Sequence, residues 1–369
     1  MRTGDQAHGF QIGHDVADGG RTDFQTGKLL QRARSHRLSV ADIAFNQGLE
    51  QYLCAFVQHI RHSTIAALSL NRAYGLIRHM KSHFKTVALI GKYKSPEIAE
   101  PLLKLADFLA GMELNVVVDN LTAEHMLAHP YSVISLAEMH AKVDLAIVMG
   151  GDGTLLDVAR TLAPFGIPLV GVNQGRLGFL TDISIETVQR TISGMLRGEF
   201  VTEKRMLLSA SIQRDGKQEF ESLAFNDVVM HRGNNSSMLE FEVSINGEYL
   251  YNQRADGLIV TTPTGSTAYA LSAGGPILHP ALDLIALVPV SPHTLSNRPI
   301  VLKSDSVLEI AMHHASEARV RFDGHTHFDL NSHDKVVVSR YIDPVCLLHP
   351  VGHSYYRTLR EKLQWNQFL

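Results

Sequence analysis

Cysteine is almost absent from this chain of 369 residues, which contains only Cys54 and Cys346. Neither cysteine belongs to a C-x-x-C pair, so the sequence predicts neither a zinc site nor a disulfide framework. Such sparing use of cysteine fits a reducing compartment, and we expect the protein to be cytoplasmic. We predict no metal ion bound by side chains of the protein itself.

Three further absences narrow the class of protein. No run of about 18 apolar residues occurs, so we expect no membrane-spanning helix and no membrane partner. The first residues lack the basic-then-apolar order of a secretory signal peptide, so we expect none. The formal net charge is −3 at pH 7, without the basic excess of a general nucleic-acid binder, so we expect no nucleic-acid partner.

Several motifs of nucleotide-binding proteins and hydrolases are also missing. No G-x-x-x-x-G-K-[ST] sequence occurs, which excludes a P-loop kinase. The G-x-G formed by Gly151 and Gly153 lacks the third glycine of the dinucleotide-binding fingerprint, because Leu156 stands at that position. Neither H-E-x-x-H nor G-x-S-x-G is present, so the signatures of zinc proteases and serine hydrolases are absent as well.

The first 79 residues differ in composition from the rest of the chain. They contain eight arginines but only one lysine, Lys28, and residues 38–60 show a weak helical pattern. One interpretation is an appended helical segment. The other is a start codon assigned too far upstream, with the protein beginning at Met80. We favour the second interpretation, because ordered alternation of strand and helix signals begins only at Thr86.

The segment 80–202 reads as an α/β domain. Short apolar runs typical of buried parallel strands lie at residues 86–91, 115–118, 144–149 and 167–172. Helical patterns separate them, including residues 135–142. Such alternation predicts a doubly wound sheet with helices on both faces.

The pattern changes to strands over residues 203–345. Residues 240–245 alternate with period two and lead into Asn246 and Gly247, a strong hairpin signal. We expect an all-β, β-sandwich-like second domain built from two packed sheets. The C-terminal segment 346–369 is expected to pack back on the first domain.

A carboxylate bracketed by glycines lies between a predicted strand and a predicted helix, in the sequence G-G-D-G-T at residues 150–154. In open α/β sheets, ligands bind at the carboxyl ends of the strands. Glycines there let backbone N–H groups approach a phosphate closely. Because a carboxylate repels phosphate, we interpret Asp152 as the proton acceptor for a hydroxyl group that attacks phosphorus. A tight turn capped by Asp152 is the alternative interpretation.

Two later segments suit a nucleotide ligand. Residues 171–180, G-V-N-Q-G-R-L-G-F-L, follow a strand and allow close backbone approach to a ligand; a structural loop is the alternative. Residues 256–276 combine many hydroxyl groups and glycines with Tyr269, whose ring can stack on a purine. A weaker signal is the amide beside a carboxylate at Asn226 and Asp227, which suits ribose hydroxyls or a turn.

In order and spacing, these motifs resemble those of the NAD kinase family, and most closely its bacterial branch. The resemblance spans about residues 85–365, and D-G-L-I-V-T-T-P-T-G-S-T-A-Y at 256–269 is its most specific part. It implies transfer of a phosphoryl group from ATP to the 2′-hydroxyl of the adenosine ribose of NAD, which yields NADP. Magnesium (Mg²⁺) is implied as the ion that accompanies ATP. Sites of this family are often completed by a neighbouring subunit, which implies a homo-oligomer, a dimer or tetramer.

The resemblance assigns a role to each matching residue. Asp152 is the implied general base, in agreement with the interpretation from the residues alone. Gly150 and Gly151 are implied to seat the phosphates of ATP, and Gly153 to allow backbone approach. The implied dinucleotide-binding residues are Asn226, Asp227, Arg254, Asp256, Thr267, Ala268, Tyr269, Ala270, Leu271 and Ser272. Asp227 replaces the usual glutamate of the family, and His325 stands where glutamine is frequent and is expected to donate a hydrogen bond.

Two other functions share part of this pattern. A lipid kinase of the diacylglycerol type also uses G-G-D-G-T, but the hydroxyl-rich segment 261–272 argues for a sugar-bearing substrate. A non-catalytic dinucleotide sensor would keep Tyr269 and Asp256 but lose the base, whereas Asp152 is present. The sequence therefore favours an ATP-dependent NAD kinase.

Overall fold

Strands and helices alternate along the first half of the described chain. The computed structural model describes residues 83–365 except residues 94, 127, 234–236 and 316. The expectation for residues 1–79 lies outside the described residues. Within the described ranges, no helix is long and apolar enough to cross a membrane.

The first sheet contains a reversal of strand order. Its strands are β1 (Thr86–Gly91), β2 (Asn115–Asp119), β3 (Ser132–Ile134), β4 (Leu145–Gly150), β5 (Leu169–Asn173), β6 (Ile183–Ser184), β7 (Phe200–Arg205) and β20 (Val345–Pro350). They lie in the order β3-β2-β1-β4-β5-β20-β7, with β6 paired to β5. All these pairs are parallel except β20 with β7. The order reverses between β1 and β4, because the chain forms β2 and β3 on the far side of β1 before it returns.

Helices cover both faces of this sheet. They are α1 (Ala99–Gly111), α2 (Asn120–Ala123), α3 (Asp152–Leu162) and α4 (Val188–Leu196). Val87 and Leu89 of β1 pack with α1 and α4, whereas Ala88 and Ile90 pack with α3. Because successive strand residues point to opposite faces, β1 is buried on both sides. The predicted doubly wound α/β architecture is confirmed.

The stretch 135–142 differs from its prediction. It forms only a short 3-10 helix at Leu136–Met139, closed at its start by a capping box between Ser135 and Glu138. Ala141 has a left-handed backbone (φ 57°), which cannot continue a right-handed helix. Two further 3-10 turns lie at Pro96–Ile98, before α1, and at Ala163–Phe165, after α3.

Two antiparallel sheets form the second part of the fold. Their strands are β8 (Leu208–Arg214), β9 (Lys217–Ala224), β10 (Asp227–His231), β11 (Leu239–Ile245), β12 (Glu248–Ala255), β13 (Gly257–Thr261), β14 (Leu284–Val290), β15 (Ile300–Lys303), β16 (Leu308–His314), β17 (Ala318–Phe322), β18 (Thr326–Leu330) and β19 (Lys335–Arg340). One sheet has the order β15-β14-β13-β10-β17-β18, the other β12-β11-β16-β19-β8-β9. Apolar residues of both sheets, such as Met230 and Phe241, share one core. The predicted sandwich-like, all-β second part is confirmed.

The chain crosses between the two parts through neighbouring strands. It leaves the first sheet along β7 and returns along β20, and these two strands pair antiparallel. After β20, helix α6 (Tyr355–Lys362) follows. The ammonium group of Lys362 lies 5.9 Å from the centre of the Phe179 ring, in the loop after β5. The division into 80–202, 203–345 and 346–369 stays a prediction, with β7 spanning the first boundary.

Candidate active site

The reversal of strand order places the G-G-D-G-T loop beside the end of β1. Gly91, the last residue of β1, lies opposite Met149 of β4, and the Lys92 N–H donates to the Met149 carbonyl (3.0 Å). Beyond this point, β4 continues almost directly into α3, whose first residue is Asp152. In open α/β sheets, ligands bind in the crevice at such a reversal.

The carboxylate of Asp152 holds the second glycine-rich segment in place. Its Oδ2 accepts a hydrogen bond from the Phe179 N–H (2.8 Å). Its Oδ1 accepts from the Leu180 N–H (3.1 Å), the Thr181 N–H (3.2 Å) and the Thr181 hydroxyl (3.1 Å). Each carboxylate oxygen offers about two acceptor positions, so Oδ1 is crowded by three donors whereas Oδ2, with one donor, keeps an open position. Three donors belong to the backbone, and only the Thr181 hydroxyl can rotate away.

Two glycines of the second segment make room for protein atoms, whereas Gly151 leaves room for a ligand. A Cβ atom at Gly178 would lie 2.0 Å from Asp152 Oδ1, and one at Gly171 would lie 2.4 Å from the Leu180 carbonyl oxygen. These glycines therefore serve close packing of the loop rather than close approach of a ligand. A Cβ atom at Gly151 would meet no described atom within 4 Å.

A hairpin turn of the second part reaches the same loop. Asp323 and Gly324 connect β17 to β18, and both have positive φ (50° and 77°), as in an Asp-Gly hairpin turn. The next residue, His325, faces α3: a Cβ atom at Gly153 would lie 3.8 Å from His325 Nε2. The structure thus brings His325 to the G-G-D-G-T loop, where a histidine can donate a hydrogen bond to a phosphate oxygen.

Asp323 anchors the Asn226–Asp227 pair. Its fully buried carboxylate accepts hydrogen bonds from the N–H groups of Phe225, Asn226 and Asp227 (2.8, 2.7 and 3.1 Å). The guanidinium of Arg160, on α3, lies 3.5 Å from the same carboxylate and also donates to a carbonyl of this turn (3.1 Å). The buried carboxylate of Asp323 therefore joins α3, the helix that follows the G-G-D-G-T loop, to the predicted ribose-binding pair Asn226 and Asp227.

The carboxyl group of Asp227 lacks such support. No described residue donates a hydrogen bond to its side chain, which is 5% exposed. Burial, together with the charge of Asp323, raises the pKa of Asp227 to about 7. Burial raises the pKa of Asp323 as well, but its three backbone donors and Arg160 oppose this rise. Asp227 has no such donors among the described residues, so of the two carboxyl groups it is the weaker holder of a negative charge.

A cavity of about 580 Å³ opens on this face of the second part. It is lined by Asn226, Asp227, Val229, His231, Arg232, Gly233, Asp256, Ala268, Tyr269, Val290, Arg321, Asp323 and Gly324. The Tyr269 ring is 46% exposed, so one face is available for stacking. Asp256 and Arg232, both in the lining, form an ion pair (2.7 Å). An aromatic ring with acids and amides suits a nucleoside.

The hydroxyl groups of the third motif mostly build its own loop. Thr262 and Ser266 are fully buried, and each donates to a backbone carbonyl oxygen (2.7 and 2.6 Å). The Thr267 hydroxyl donates to the Thr264 carbonyl (3.3 Å) in the 3-10 turn Gly265–Thr267. The hydroxyl protons of these three residues are therefore used within the protein, and the expected contacts of Thr267 with a nucleotide stay a prediction.

The cavity gathers about half of the predicted dinucleotide-binding residues. Asn226, Asp227, Asp256, Ala268 and Tyr269 line it. The predicted residues outside its lining are Arg254, Thr267, Ala270, Leu271, Ser272 and His325. Ala270, on helix α5 (Tyr269–Ser272), packs instead into an apolar cluster beneath the cavity. Arg254 lies exposed on β12.

Sequence reasoning missed several side chains that shape the site, namely Arg160, Thr181, Arg232 and Asp323. Their partners are distant in the chain: the carbonyl bonded by Arg160 is 162 residues away. Local motifs carry no signal for such contacts. Only Asp323 had a readable signal, because an Asp-Gly pair between two strand patterns predicts a tight hairpin turn.

The fold and the site together define a class: two-part proteins in which a glycine-bracketed carboxylate at a strand-order reversal faces a nucleoside-sized cavity on a β domain. The family model described as ATP-NAD kinase N-terminal domain matches residues 87–200, and the ATP-NAD kinase C-terminal domain model matches residues 225–346. The NAD kinase of Nitrosomonas eutropha is 58% identical over 286 residues, which cover 78% of this chain and 97% of that protein. The NAD kinase of Nitrosospira multiformis is 59% identical over 287 residues, 78% of this chain and 98% of that protein. The chain belongs to the NAD kinase family.

Solved structures agree with this assignment. Yeast NADH kinase complexed with NADH superposes with a TM-score of 0.70 at 26% identity, covering 77% of this chain and 89% of that chain. An NAD kinase from Archaeoglobus fulgidus in complex with ATP gives a TM-score of 0.60 at 24% identity, with 76% and 98% covered, and supports the fold alone. The predicted family and enzyme class are confirmed, and neither the lipid-kinase nor the sensor interpretation gains support.

Proposed function

We propose that the protein transfers the γ-phosphoryl group of ATP to the 2′-hydroxyl of the adenosine ribose of NAD, with Asp152 as the general base. Family membership supports the reaction. The observation that carries the role of Asp152 is its position: it starts α3 at the strand-order reversal, one residue from Gly153, which faces His325.

The reaction requires a proton acceptor for the ribose hydroxyl and a place beside it where the negatively charged phosphates of ATP can bind. A ribose hydroxyl is a weak nucleophile, and a carboxylate within hydrogen-bond reach can take its proton as the bond to phosphorus forms. Oδ2 of Asp152 accepts a single hydrogen bond and has room for the ribose hydroxyl, and the Thr181 hydroxyl is the one donor of the four that can rotate away from Oδ1. The open space at Gly151 and the amino end of α3 favour the phosphate chain of ATP.

The cavity on the second part supports binding of NAD. Tyr269 would stack on adenine, Asp256 would accept from its amino group, and Asn226 with Asp227 would bind ribose hydroxyls. ATP enters as its magnesium complex, in which the ion neutralises charge on the transferred phosphate. Gly150 would help to seat this phosphate chain, and His325 would donate to it.

Arg254 supports the proposal of a homo-oligomer, a dimer or tetramer. The predicted ligand role of Arg254 does not fit one chain alone, because the residue is exposed on β12 and outside the cavity lining. A neighbouring copy would bring Arg254 to the cavity of its partner. We propose a cytoplasmic location for this NADP-forming enzyme, in keeping with the unpaired thiol of Cys346.

The test is NADP formation by the purified full-length protein, given NAD, ATP and magnesium, with glucose-6-phosphate dehydrogenase as the readout. We expect steady NADP formation that requires both ATP and NAD. NAD binding without turnover, by protein shown to be folded, would support the sensor interpretation. Phosphorylation of diacylglycerol in place of NAD would support the lipid-kinase interpretation.

A further inference from the structure

A series of buried polar side chains links the two loops that frame the proposed site. It starts at Asp182, which directly follows Thr181, the residue that binds Asp152. The Asp182 carboxylate lies 3.0 Å from Nδ1 of His349, on β20. Nε2 of His349 lies 3.1 Å from the Glu203 carboxylate, on β7. His349 is 2% exposed, so it bridges two acids inside the protein.

The series continues from β7 to the third motif. The Arg205 guanidinium donates to Glu203 (2.9 Å) and to the hydroxyl of Thr264 (3.1 Å). Arg205 is 3% and Thr264 8% exposed. Thr264 precedes the turn that leads to Tyr269, in the cavity wall. We call Asp182, His349, Glu203, Arg205 and Thr264 the buried polar chain.

Charge alternates along the buried polar chain. Burial alone would lower the pKa of His349, but the hydrogen bond to Asp182 and the charges of Asp182 and Glu203 outweigh it and raise this pKa to about 9. The same contacts outweigh burial at the two acids and lower the pKa of each to about 2. At neutral pH His349 is therefore an imidazolium. A neutral imidazole has a single N–H and could donate to only one of the two carboxylates, so the other would be held by His353 or Arg205 alone.

The geometry favours hydrogen bonds over a metal ion at one end of this chain. Asp182, His349 and His353 place three potential metal-ligand atoms within 4.8 Å of one another. The two histidine rings are stacked, however, with centres 4.0 Å apart and planes inclined by 17°. A histidine binds a metal in the plane of its ring, and nearly parallel planes cannot both contain one ion. Nδ1 of His353 instead bonds the Asp182 carboxylate directly (2.8 Å).

We propose that His349 is a positioning residue for phosphoryl transfer, holding the loop that binds Asp152 in register with the loop that carries Tyr269. The inference rests on the proposed function and deepens it. The titratable groups that contact His349 are Asp182 after the second glycine-rich segment, Glu203 on β7 and His353 after β20. Arg205 on β7 and Tyr355 on α6 lie next to Glu203. Loss of the His349 proton leaves two acids facing each other across a neutral ring, and the alignment weakens.

The test compares His349→Gln with the wild type in the full-length protein. We expect kcat at pH 7.5 to fall about 10- to 100-fold, since misplacement of reacting groups by about 1 Å costs about 10²-fold. The KM values for NAD and ATP should change less. The wild type should lose kcat as the pH rises through about 9, and the variant should lack this alkaline decline.

Two control variants separate positioning from general destabilisation. His353→Gln removes the other histidine on Asp182 but leaves the buried polar chain intact, so kcat should stay within about threefold of the wild type. Lys104→Gln removes an exposed ion pair on α1 and should change nothing. Circular dichroism at the assay temperature verifies that each variant is folded.

A double-mutant comparison tests the link to the third motif. Thr264→Val removes the hydroxyl that Arg205 binds, and Thr264→Ser retains it. If the buried polar chain acts as a unit, Thr264→Val should lower kcat and Thr264→Ser should keep kcat near the wild-type value. The His349→Gln/Thr264→Val double variant should then have a kcat little lower than that of His349→Gln alone. Multiplying losses in the double variant would contradict the proposal. Should His349→Gln fail to fold, Arg205→Lys, which cannot reach both partners, replaces it.

Besides multiplying losses in the double variant, three results would overturn the inference. They are a folded His349→Gln enzyme with wild-type kcat and pH profile, a wild type whose kcat does not decline up to pH 10, and stoichiometric zinc in the purified protein by elemental analysis. Failure of the wild type to form NADP would instead contradict the proposed function. The two failures are therefore distinguishable.

Discussion

Thr181 donates two hydrogen bonds to the same carboxylate oxygen of Asp152, one from its backbone nitrogen (3.2 Å) and one from its hydroxyl (3.1 Å). The backbone donor fixes the loop after β5 against the start of α3. The hydroxyl is the exchangeable donor, which an incoming ribose hydroxyl can replace. The first and second glycine-rich motifs are therefore one structural unit, with Asp152 at its centre.

Removal of the exchangeable donor should be tolerated. Thr181→Val keeps the shape of the side chain and the backbone donor, so we expect a folded enzyme. Its kcat should lie within about fivefold of the wild-type value, because one hydrogen bond contributes about 1 kcal/mol. Steady-state kinetics at saturating NAD and ATP measures this. A loss above about 100-fold would mean that the Thr181 hydroxyl itself takes part in the reaction.

Two glycine substitutions should separate packing from ligand approach. Gly178→Ala places a Cβ atom 2.0 Å from Asp152 Oδ1, so we expect a loss of stability of about 1–3 kcal/mol together with low activity. Gly151→Ala meets no described atom, so its stability should match the wild type while its KM for ATP rises. Thermal unfolding and ATP titrations measure both. Equal melting temperatures for the two variants would contradict this account.

Removal of the buried Asp323 carboxylate should cost much of the stability of the protein. Asp323→Ala leaves three backbone donors and Arg160 without their buried partner, and we expect a loss of about 3–5 kcal/mol. The matched control is Asp329→Ala, on the neighbouring strand, whose ion pair with Arg319 is exposed and worth about 0–1 kcal/mol. Chemical unfolding gives both values, and similar losses would refute the anchoring role.

Stability of the protein should respond to pH through Asp227. Its pKa rises from 3.8 in an unfolded chain to about 7 in the folded state, so the folded state binds the proton more tightly. This contribution is present below pH 3.8 and is lost as the pH rises towards 7. Asp227→Asn should therefore raise the melting temperature relative to the wild type, more at pH 8 than at pH 5. An equal shift at both pH values would exclude an ionising Asp227.

Much of the fold was predictable because its signals are local. The buried strands of the first sheet are apolar runs, and Asn246 with Gly247 forms the predicted turn between β11 and β12. The helix expected at 135–142 shortened because His140 adopts an extended backbone (ψ 130°) and Ala141 a left-handed one, which no propensity reveals. Local patterns thus identify elements more readily than they place the ends of those elements.

The site was less predictable because its contacts are non-local. The glycines of residues 171–180 suggested space for a ligand, yet Gly178 makes space for Asp152, which precedes it by 26 positions in the sequence. The hydroxyls of Thr262 and Ser266 suggested sugar contacts but bind the backbone of their own loop or its neighbour. A sequence motif indicates where a reaction takes place. Whether a given side chain of the motif contacts the ligand or other protein atoms is determined by the folded structure.

The most direct measurement is the turnover number of Asp152→Asn against the wild type, with NADP formation as the readout. Asparagine keeps an oxygen facing the three donors to Oδ1 and loses the hydrogen bond from the Phe179 N–H, so the variant should still fold and bind NAD, which thermal unfolding and NAD titration verify. It cannot accept a proton, and general-base assistance is worth about 10²–10⁴-fold, so kcat should fall by that factor. An Asp152→Asn variant that turns over at the wild-type rate would contradict the assignment of Asp152 as general base.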